Sequence, residues 1–417
     1  MKRILVLGGG AAGIVAAIAA AEECKGNAEV LLLERNPRIG KKLLATGNGR
    51  CNLDNNRIRI EDYFTSDRES LEQMLKAIGP HGVTNWFADY GLFVTLDEAG
   101  RIYPYSNQAA DVLNLLLYWL EKLGVKVRTD CTVTAIEPGR VTLDGGEVLE
   151  GDAVICALGG SAGPQFGTDG SGVLMLRANG CKATALYPCL VPLKCKKSQI
   201  AGLSGIRVKC SAALYDGDKL IHAERGEVQF TDYGLSGIAV MQLSGHLGQQ
   251  RKLRKGHIRI DLFPGFEKEE YLFMYLKKRL RDLSDTNMED YFTGLLNKRV
   301  AAAVWKTLDL GDMNRKASSL SGEEWERLAY GLKNWSFTEL EDTGWKNAQT
   351  TGGGVRLSHV NCETFEVKTA PGLYVVGETL DCAGSCGGFN LHFAFGSGIL
   401  AGRAAAKAVL GGQKYAS

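Results

Sequence analysis

Ile4-Leu5-Val6-Leu7-Gly8-Gly9-Gly10-Ala11-Ala12-Gly13 stands at the head of the chain and decides its fold. Four apolar residues in a row read as a strand buried on both faces. Gly8 supplies the tight turn, Gly10 lets a pyrophosphate come close to the backbone, and Gly13 lets the next helix pack on the strand. That helix, read over Ile14 to Glu23, is rich in alanine, a strong helix former. Its free N-terminal N–H groups favour an anion. A second apolar strand, Val30-Leu31-Leu32-Leu33, ends in Glu34, 21 residues beyond Gly13. A carboxylate at that point accepts hydrogen bonds from a ribose diol and disfavours a ribose 2′-phosphate. The glycines alone are a weak signal. Strand, glycines, helix, strand and acid in register predict a Rossmann-type α/β domain that binds a dinucleotide.

A second glycine signature lies at the other end. Gly372-Leu373-Tyr374-Val375-Val376-Gly377-Glu378 is followed by Gly387-Gly388-Phe389-Asn390 and a helical stretch toward Ala408. The first signature suits a pyrophosphate and the second suits the far end of the same large cofactor. Together they predict FAD, clamped between terminal segments that fold as one. Glu378 and Asp381 follow the last strand, where a carboxylate can grip ribityl hydroxyls. Gly387 and Gly388 let the backbone approach a ring. Asn390 begins the helix, whose N-terminus would stabilise negative charge on the pyrimidine side of a reduced flavin; a plain N-cap is the other reading of this residue.

Between these ends, Ala45-Thr46-Gly47-Asn48-Gly49-Arg50-Cys51-Asn52-Leu53 is poor helix and poor strand. A flavin and its ribityl chain would supply partners for it, although composition alone also fits a solvated loop. Arg50 offers a planar fork to phosphate or carbonyl oxygens. Asn52 offers hydrogen bonds to a ring edge, and Cys51 a thiol near the reactive face.

Strand–helix alternation runs to about residue 186, with strands read at Val125–Val127, Cys131–Ile136 and Ala153–Ala157. After Tyr187-Pro188 the pattern becomes alternating short runs, including Arg207–Leu214 and Lys219–Ala223 joined at Asp216-Gly217-Asp218, which read as a hairpin. Glu267–Asp282 reads as an amphipathic helix, with further helices to about Leu332. No second dinucleotide fingerprint is present; Gly159-Gly160-Ser161-Ala162-Gly163 lacks the spacing. A reduced nicotinamide, as electron donor, would therefore dock only transiently, and direct oxidation of the flavin by dioxygen is the other course open to such a protein.

Length suits two or three domains at 417 residues, and a net charge of +2 is that of an ordinary soluble protein. No run reaches the roughly 18 apolar residues of a membrane span. The 11 cysteines are scattered, and Cys382 and Cys386 are too far apart for a Cys-x-x-Cys pair. With no room for a signal peptide before the first strand, they read as reduced thiols in a cytoplasm. No metal is expected.

These pieces resemble a flavoprotein family that includes bile-acid-inducible dienone reductases, bacterial ribosomal-RNA dihydrouridine synthases and an aminoacetone oxidase. The matching segments are Gly8–Gly13, Thr46–Leu53, Arg101-Ile102-Tyr103-Pro104, Ala157–Gly160, Tyr187-Pro188 with Val191-Pro192-Leu193, Phe230-Thr231 with Leu235-Ser236-Gly237, Thr351–Val355 and Gly372–Asn390. The resemblance spans the chain. It implies a discontinuous FAD-binding domain (1–187 and 351–417), an inserted β-barrel (188–265 and 333–350) and a small helical region (266–332). It also implies contacts to FAD from Thr46, Gly47, Gly49, Arg50, Cys51 and Asn52, and from Gly377, Glu378, Asp381, Gly387, Gly388, Phe389 and Asn390. Gly8, Gly10, Ala11, Ala12, Gly13, Glu34, Arg35, Lys42, Val133, Ala157, Gly159 and Gly160 complete the candidate set. Two departures are Phe389, where tyrosine is common, and the cysteines at 382 and 386; both would alter the pocket beside the ring.

The resemblance implies three chemistries. One reduces a uridine in large-subunit ribosomal RNA with NAD(P)H, one reduces a conjugated steroid or bile-acid enone, and one oxidises a small aminoketone. The first two need a general acid to protonate one carbon of the reduced bond. Cys51, Tyr103 and His392 are the candidates, Cys51 first, because its loop should border the ring; a thiol with an ordinary pKa near 8.5 is protonated at neutral pH, as an acid requires. Charge favours RNA: Lys194–Arg281 holds 17 Lys and Arg against 9 Asp and Glu, while the remainder is −6. Such a basic insert suits a polyanion. A non-catalytic flavoprotein that binds RNA is the reading from a different class.

Overall fold

A computed structural model of the protein describes residues 1–250, 253 and 255–412. Arg251, Lys252 and Arg254, part of the basic stretch Lys194–Arg281, lie outside the described residues. The chain divides into two compact units. One joins Met1–Cys189 to the chain from Trp345 onward; the other is Leu190–Gly344.

The first unit is built on a five-stranded parallel sheet. Its strands are β1 (Lys2–Leu7), β2 (Ala28–Leu33), β3 (Lys126–Arg128), β4 (Ala153–Cys156) and β5 (Leu373–Val375), in the spatial order β5-β4-β1-β2-β3. Ile4 to Leu7 and all of β4 and β5 are buried, as the unbroken apolar runs require of strands covered on both faces. Every neighbour is parallel, with Ile4 opposite Ala153 and Val30, and Val154 opposite Leu373. The N-terminal and C-terminal segments thus share one sheet.

Helix α1 (Ala11–Cys24) follows the glycine turn, and α2 (Phe389–Leu410) ends the described chain. Small residues let their backbones meet: a Cβ on Gly398 would lie 2.3 Å from the Ala12 carbonyl oxygen, and one on Gly402 the same distance from that of Ala16. By length and composition α2 could cross a membrane, but 61% of its apolar window is buried inside the protein, which makes it a core helix.

The second unit holds a seven-stranded antiparallel sheet. Its central hairpin, Arg207–Asp216 with Lys219–Phe230, is longer than the sequence pattern suggests. The edge strands are Trp335–Phe337 and Glu341–Asp342. Laid flat, seven strands would separate those edges by roughly 29 Å. Four Cα steps join them and reach at most about 15 Å. The sheet therefore curls on itself, which is the sense in which the expected barrel exists. The helices Glu269–Leu283, Lys298–Thr307 and Gly322–Lys333 share one core with this sheet, through Leu272, Trp305, Trp325 and Trp335, and form no separate domain.

One group gives this unit a pH dependence. Burial, and then the charge of His222, lowers the pKa of His246 from 6.5 to about 4. The two rings stack at 4.0 Å. The unfolded chain protonates below pH 6.5 while the folded unit resists until about pH 4, so stability is lost as pH falls through that window. The loss is of order 3 kcal/mol. Denaturant unfolding at pH 7 and pH 4.5 should show it, and His246→Gln should flatten the difference.

Candidate cofactor cleft

A cleft of about 1350 Å³, counted out to its open mouth, lies in the first unit at the C-terminal ends of the parallel strands. This is where an open α/β sheet binds ligands. Its floor is Gly8, Gly9, Gly10, Ala11 and Ala12. Gly8 has φ +100°, and a Cβ on Gly13 would sit 1.9 Å from the Gly8 carbonyl oxygen, so the turn and the packing of α1 both depend on missing side chains. A Cβ on Gly10 would meet nothing within 4 Å: open space lies directly over the loop. The first-turn N–H groups of α1 have no intrahelical acceptor. The donor set and the space above it fit a pyrophosphate.

Glu34 follows β2 at one wall and is 8% exposed. One carboxylate oxygen accepts from the Gly9 N–H at 2.7 Å; the other accepts from the backbone and side-chain nitrogens of Asn36 at 2.8 and 2.6 Å. Three of its roughly four acceptor sites are used in holding the loop, which leaves one for a ribose hydroxyl. At the other wall Lys42 donates to Glu378 at 2.6 Å. The second Glu378 oxygen accepts from the N–H and hydroxyl of Thr351 at 3.0 and 2.7 Å. The Thr351 hydroxyl oxygen in turn accepts from the N–H groups of Ser161 and Ala162. Segments after β2, β4 and β5 are thereby tied round one charged pair.

Of the residues named from sequence, Gly8, Gly10, Ala11, Ala12, Glu34, Arg35, Lys42, Thr46, Val133, Ala157, Gly159, Gly377, Glu378 and Asn390 line the cleft. Gly13, Gly47, Gly49, Arg50, Cys51, Asn52, Gly160, Asp381, Gly387, Gly388 and Phe389 do not. Asp381 is turned inward, accepts from the N–H and hydroxyl of Ser66, and has its carboxyl pushed up by burial. Gly388 is a glycine because protein backbone approaches it: at φ +101°, its Cβ would lie 2.2 Å from the Asp54 carbonyl oxygen. Arg50 lies over the Tyr103 ring at 4.8 Å. The cap of α2 is Gly388; Asn390 instead bonds both backbone groups of Gly384, at 2.8 and 2.7 Å, so the plain N-cap reading is withdrawn.

The three candidate acids also need correction. Cys51 is fully buried, and burial pushes its thiol up to about 12. Tyr103 is 5% exposed, and His392 is fully buried with Nδ1 2.8 Å from Asp54. None lines the cleft. Cys51→Ala should leave turnover within about twofold of wild type, since a thiol that cannot reach substrate cannot protonate it; a hundredfold loss in steady-state rate would restore its role. Cys382, named from the sequence as a residue beside the pocket, is in the lining; sequence reasoning missed Asn36, Arg38, Lys41, Cys131, Phe166 to Asp169, Gln349 and Thr350, which also line the cleft.

Comparison with known proteins places this geometry. The family profile described as HI0933-like protein Rossmann domain matches residues 2–404. The chain belongs to the HI0933-like family. Within reach of this HI0933-like protein is the 3-dehydro-bile acid delta(4,6)-reductase of Clostridium scindens, 39% identical over 415 residues, which cover 98% of this chain and all of the relative. The ribosomal RNA dihydrouridine synthase of Escherichia coli is 24% identical over 404 residues, covering 94% and 95%. Among solved structures, 3-ketosteroid delta1-dehydrogenase from Sterolibacterium denitrificans shares the fold with a TM-score of 0.50 at 12% identity, covering 98% of this chain and all of that one.

Proposed function

We propose that this HI0933-like protein is an FAD-dependent oxidoreductase that reduces a C=C bond conjugated to a carbonyl in a steroid or bile-acid enone. The observation that carries this reading is its 39% identity, end to end, with a protein named as a bile-acid reductase. The cleft supports the cofactor: free N–H groups at the start of α1 for the pyrophosphate, Glu34 for the ribose, and Glu378 with Lys42 further along. When bound, FAD supplies the hydride. The chain holds the cofactor between its two ends and keeps the acids Glu34 and Glu378 in fixed orientations. Cys382, in the lining, keeps its proton, because burial and then the Asp381 charge push its thiol well above the ordinary value. A nicotinamide, NADH or NADPH, is the proposed donor, and a reducing cytoplasm suits a chain with eleven cysteines scattered along it.

The ribosomal-RNA reading loses its electrostatic support. Counted over the second unit, Leu190–Gly344, there are 24 Lys and Arg against 21 Asp and Glu, a balance of only +3. Acids beyond Arg281 return the charge, and Lys194, Lys196 and Arg207 stand near Glu341, Glu339 and Glu227. The test is an anaerobic assay of the purified flavoprotein with NADH or NADPH and a 3-oxo-Δ4,6 bile acid. Bleaching of the flavin by the nicotinamide, its recovery on adding the dienone, and loss of the dienone absorbance are expected. Reduction of the flavin by an aminoketone with reoxidation by oxygen and no dienone turnover, or loss of dihydrouridine from ribosomal RNA in a deletion strain with no dienone turnover, would overturn the substrate.

A further inference from the structure

Strand order places β2 and β4 on either side of β1. Their C-terminal ends are roughly 10 Å apart, two strand spacings, with the glycine loop between them. The chain leaving β4 makes a short 3₁₀ turn at Pro164–Phe166 and runs on through Asp169. It is fixed at both ends: the Gly163 N–H donates to the Trp345 carbonyl and the Gly170 N–H to that of Gly160. Its middle reaches the residues that follow β2. Arg35 Nη1 lies 2.6 Å from the Asp169 carboxylate and 3.1 Å from the Gly167 carbonyl oxygen, and the Asn36 side chain donates to the Phe166 carbonyl at 3.0 Å. Phe166, Asp169, Arg35 and Asn36 all line the cleft. Burial works against the Asp169 charge, yet bonds from Ser171 and Arg35 hold its carboxyl below the ordinary value, so the acid is an anion facing the guanidinium.

We propose that Pro164–Asp169 is a roof over the adenosine half of the bound dinucleotide, latched across the cleft by Arg35 and Asn36, and that it sets how fast the cofactor leaves. This rests on the FAD reading above. The roof connects the two strands that flank the pyrophosphate loop, so the adenosine cannot pass between them until the latch opens. Arg35 and Asp169 are positioning residues; they act on retention and touch no reacting atom. Because both charges are partly exposed, at 33% and 48%, salt weakens the latch.

The test is the rate of FAD release from the holoprotein, read as the rise of flavin fluorescence on dilution, at 0.05 and 0.5 M NaCl. Asp169→Asn and Arg35→Gln should each speed release about fivefold at low salt. The double variant should be no faster than either single one, because both remove the same pair. Salt should accelerate release from the wild type and leave Asp169→Asn unchanged. Single variants within 1.5-fold of wild type, or a double variant equal to the product of the singles, would overturn the roof. Should one variant fail to fold, the other tests the same pair from the opposite wall. A wild type that holds no FAD would instead overturn the cofactor reading on which the roof rests.

Discussion

Gly13→Val is expected to give a protein that retains no FAD and has lost at least about 3 kcal/mol of stability. The clash is with backbone, not with a side chain that could turn away. A Cβ at position 13 would lie 1.9 Å from the Gly8 carbonyl oxygen and 3.2 Å from the Ala157 side chain. To relieve it, α1 must lift from the ends of β1 and β4. That movement displaces the first-turn N–H groups by more than the few tenths of an ångström a hydrogen bond tolerates. It also loosens the contact with α2, which carries the C-terminal side of the cleft. Flavin-to-protein ratio and chemical unfolding of the variant measure both consequences. A variant with wild-type flavin content would mean that the glycine turn is not what holds the cofactor.

Asp54→Ala is expected to cost about 3–5 kcal/mol, the range for stripping one partner from a buried pair. Asp54 is fully buried in a short strand, Asp54–Asn55, that no length or periodicity argument would single out. One of its oxygens is 2.8 Å from His392 Nδ1 and 2.7 Å from the Asn55 N–H; the other accepts from the Thr84 hydroxyl at 2.6 Å. His392 Nε2 is itself buried with no hydrogen-bond partner among the described residues, so the ring has nowhere else to place its polar atoms when the carboxylate is removed. The pair is therefore what seats the first turn of α2 beside the cleft. Equilibrium unfolding measures the cost. The double variant Asp54→Ala, His392→Leu should recover part of it, because the orphaned imidazole is then gone. A loss below 1 kcal/mol for the single variant would show the pair to be dispensable.

These two cases mark how far the sequence could be read. The glycine turn was legible because its chemistry is local: strand, turn and helix follow one another, and Gly13 answers the Gly8 carbonyl five residues before it. Glu34 and Glu378 were legible for the same reason, as acids just past buried strands. The curled sheet of the second unit announced itself through its alternating hairpin. Side-chain direction beyond a strand end was not legible. Gly377–Thr379 forms a 3₁₀ turn that sends Glu378 into the cleft and leaves Asp381 facing Ser66. Gly388 read as space for a ring, whereas the backbone of Asp54, more than 330 residues earlier, fills that space. Cys51 read as reactive because thiols are; its burial depends on contacts that no local pattern encodes. The roof at Pro164–Asp169 is marked in the sequence by one proline and one glycine, the signs of any loop. The charge argument failed at its boundary: ending the count at Arg281 left out acids that belong to the same folded unit.

All of this stands on one sheet, in which β5 from the C-terminal segment joins β1 through β4 to build a single FAD cleft. The visible absorption spectrum of the purified protein, with the released chromophore identified by mass, tests that most directly. A yellow protein carrying about one FAD per chain is the expected result. A colourless protein that stays colourless after incubation with excess FAD would contradict it.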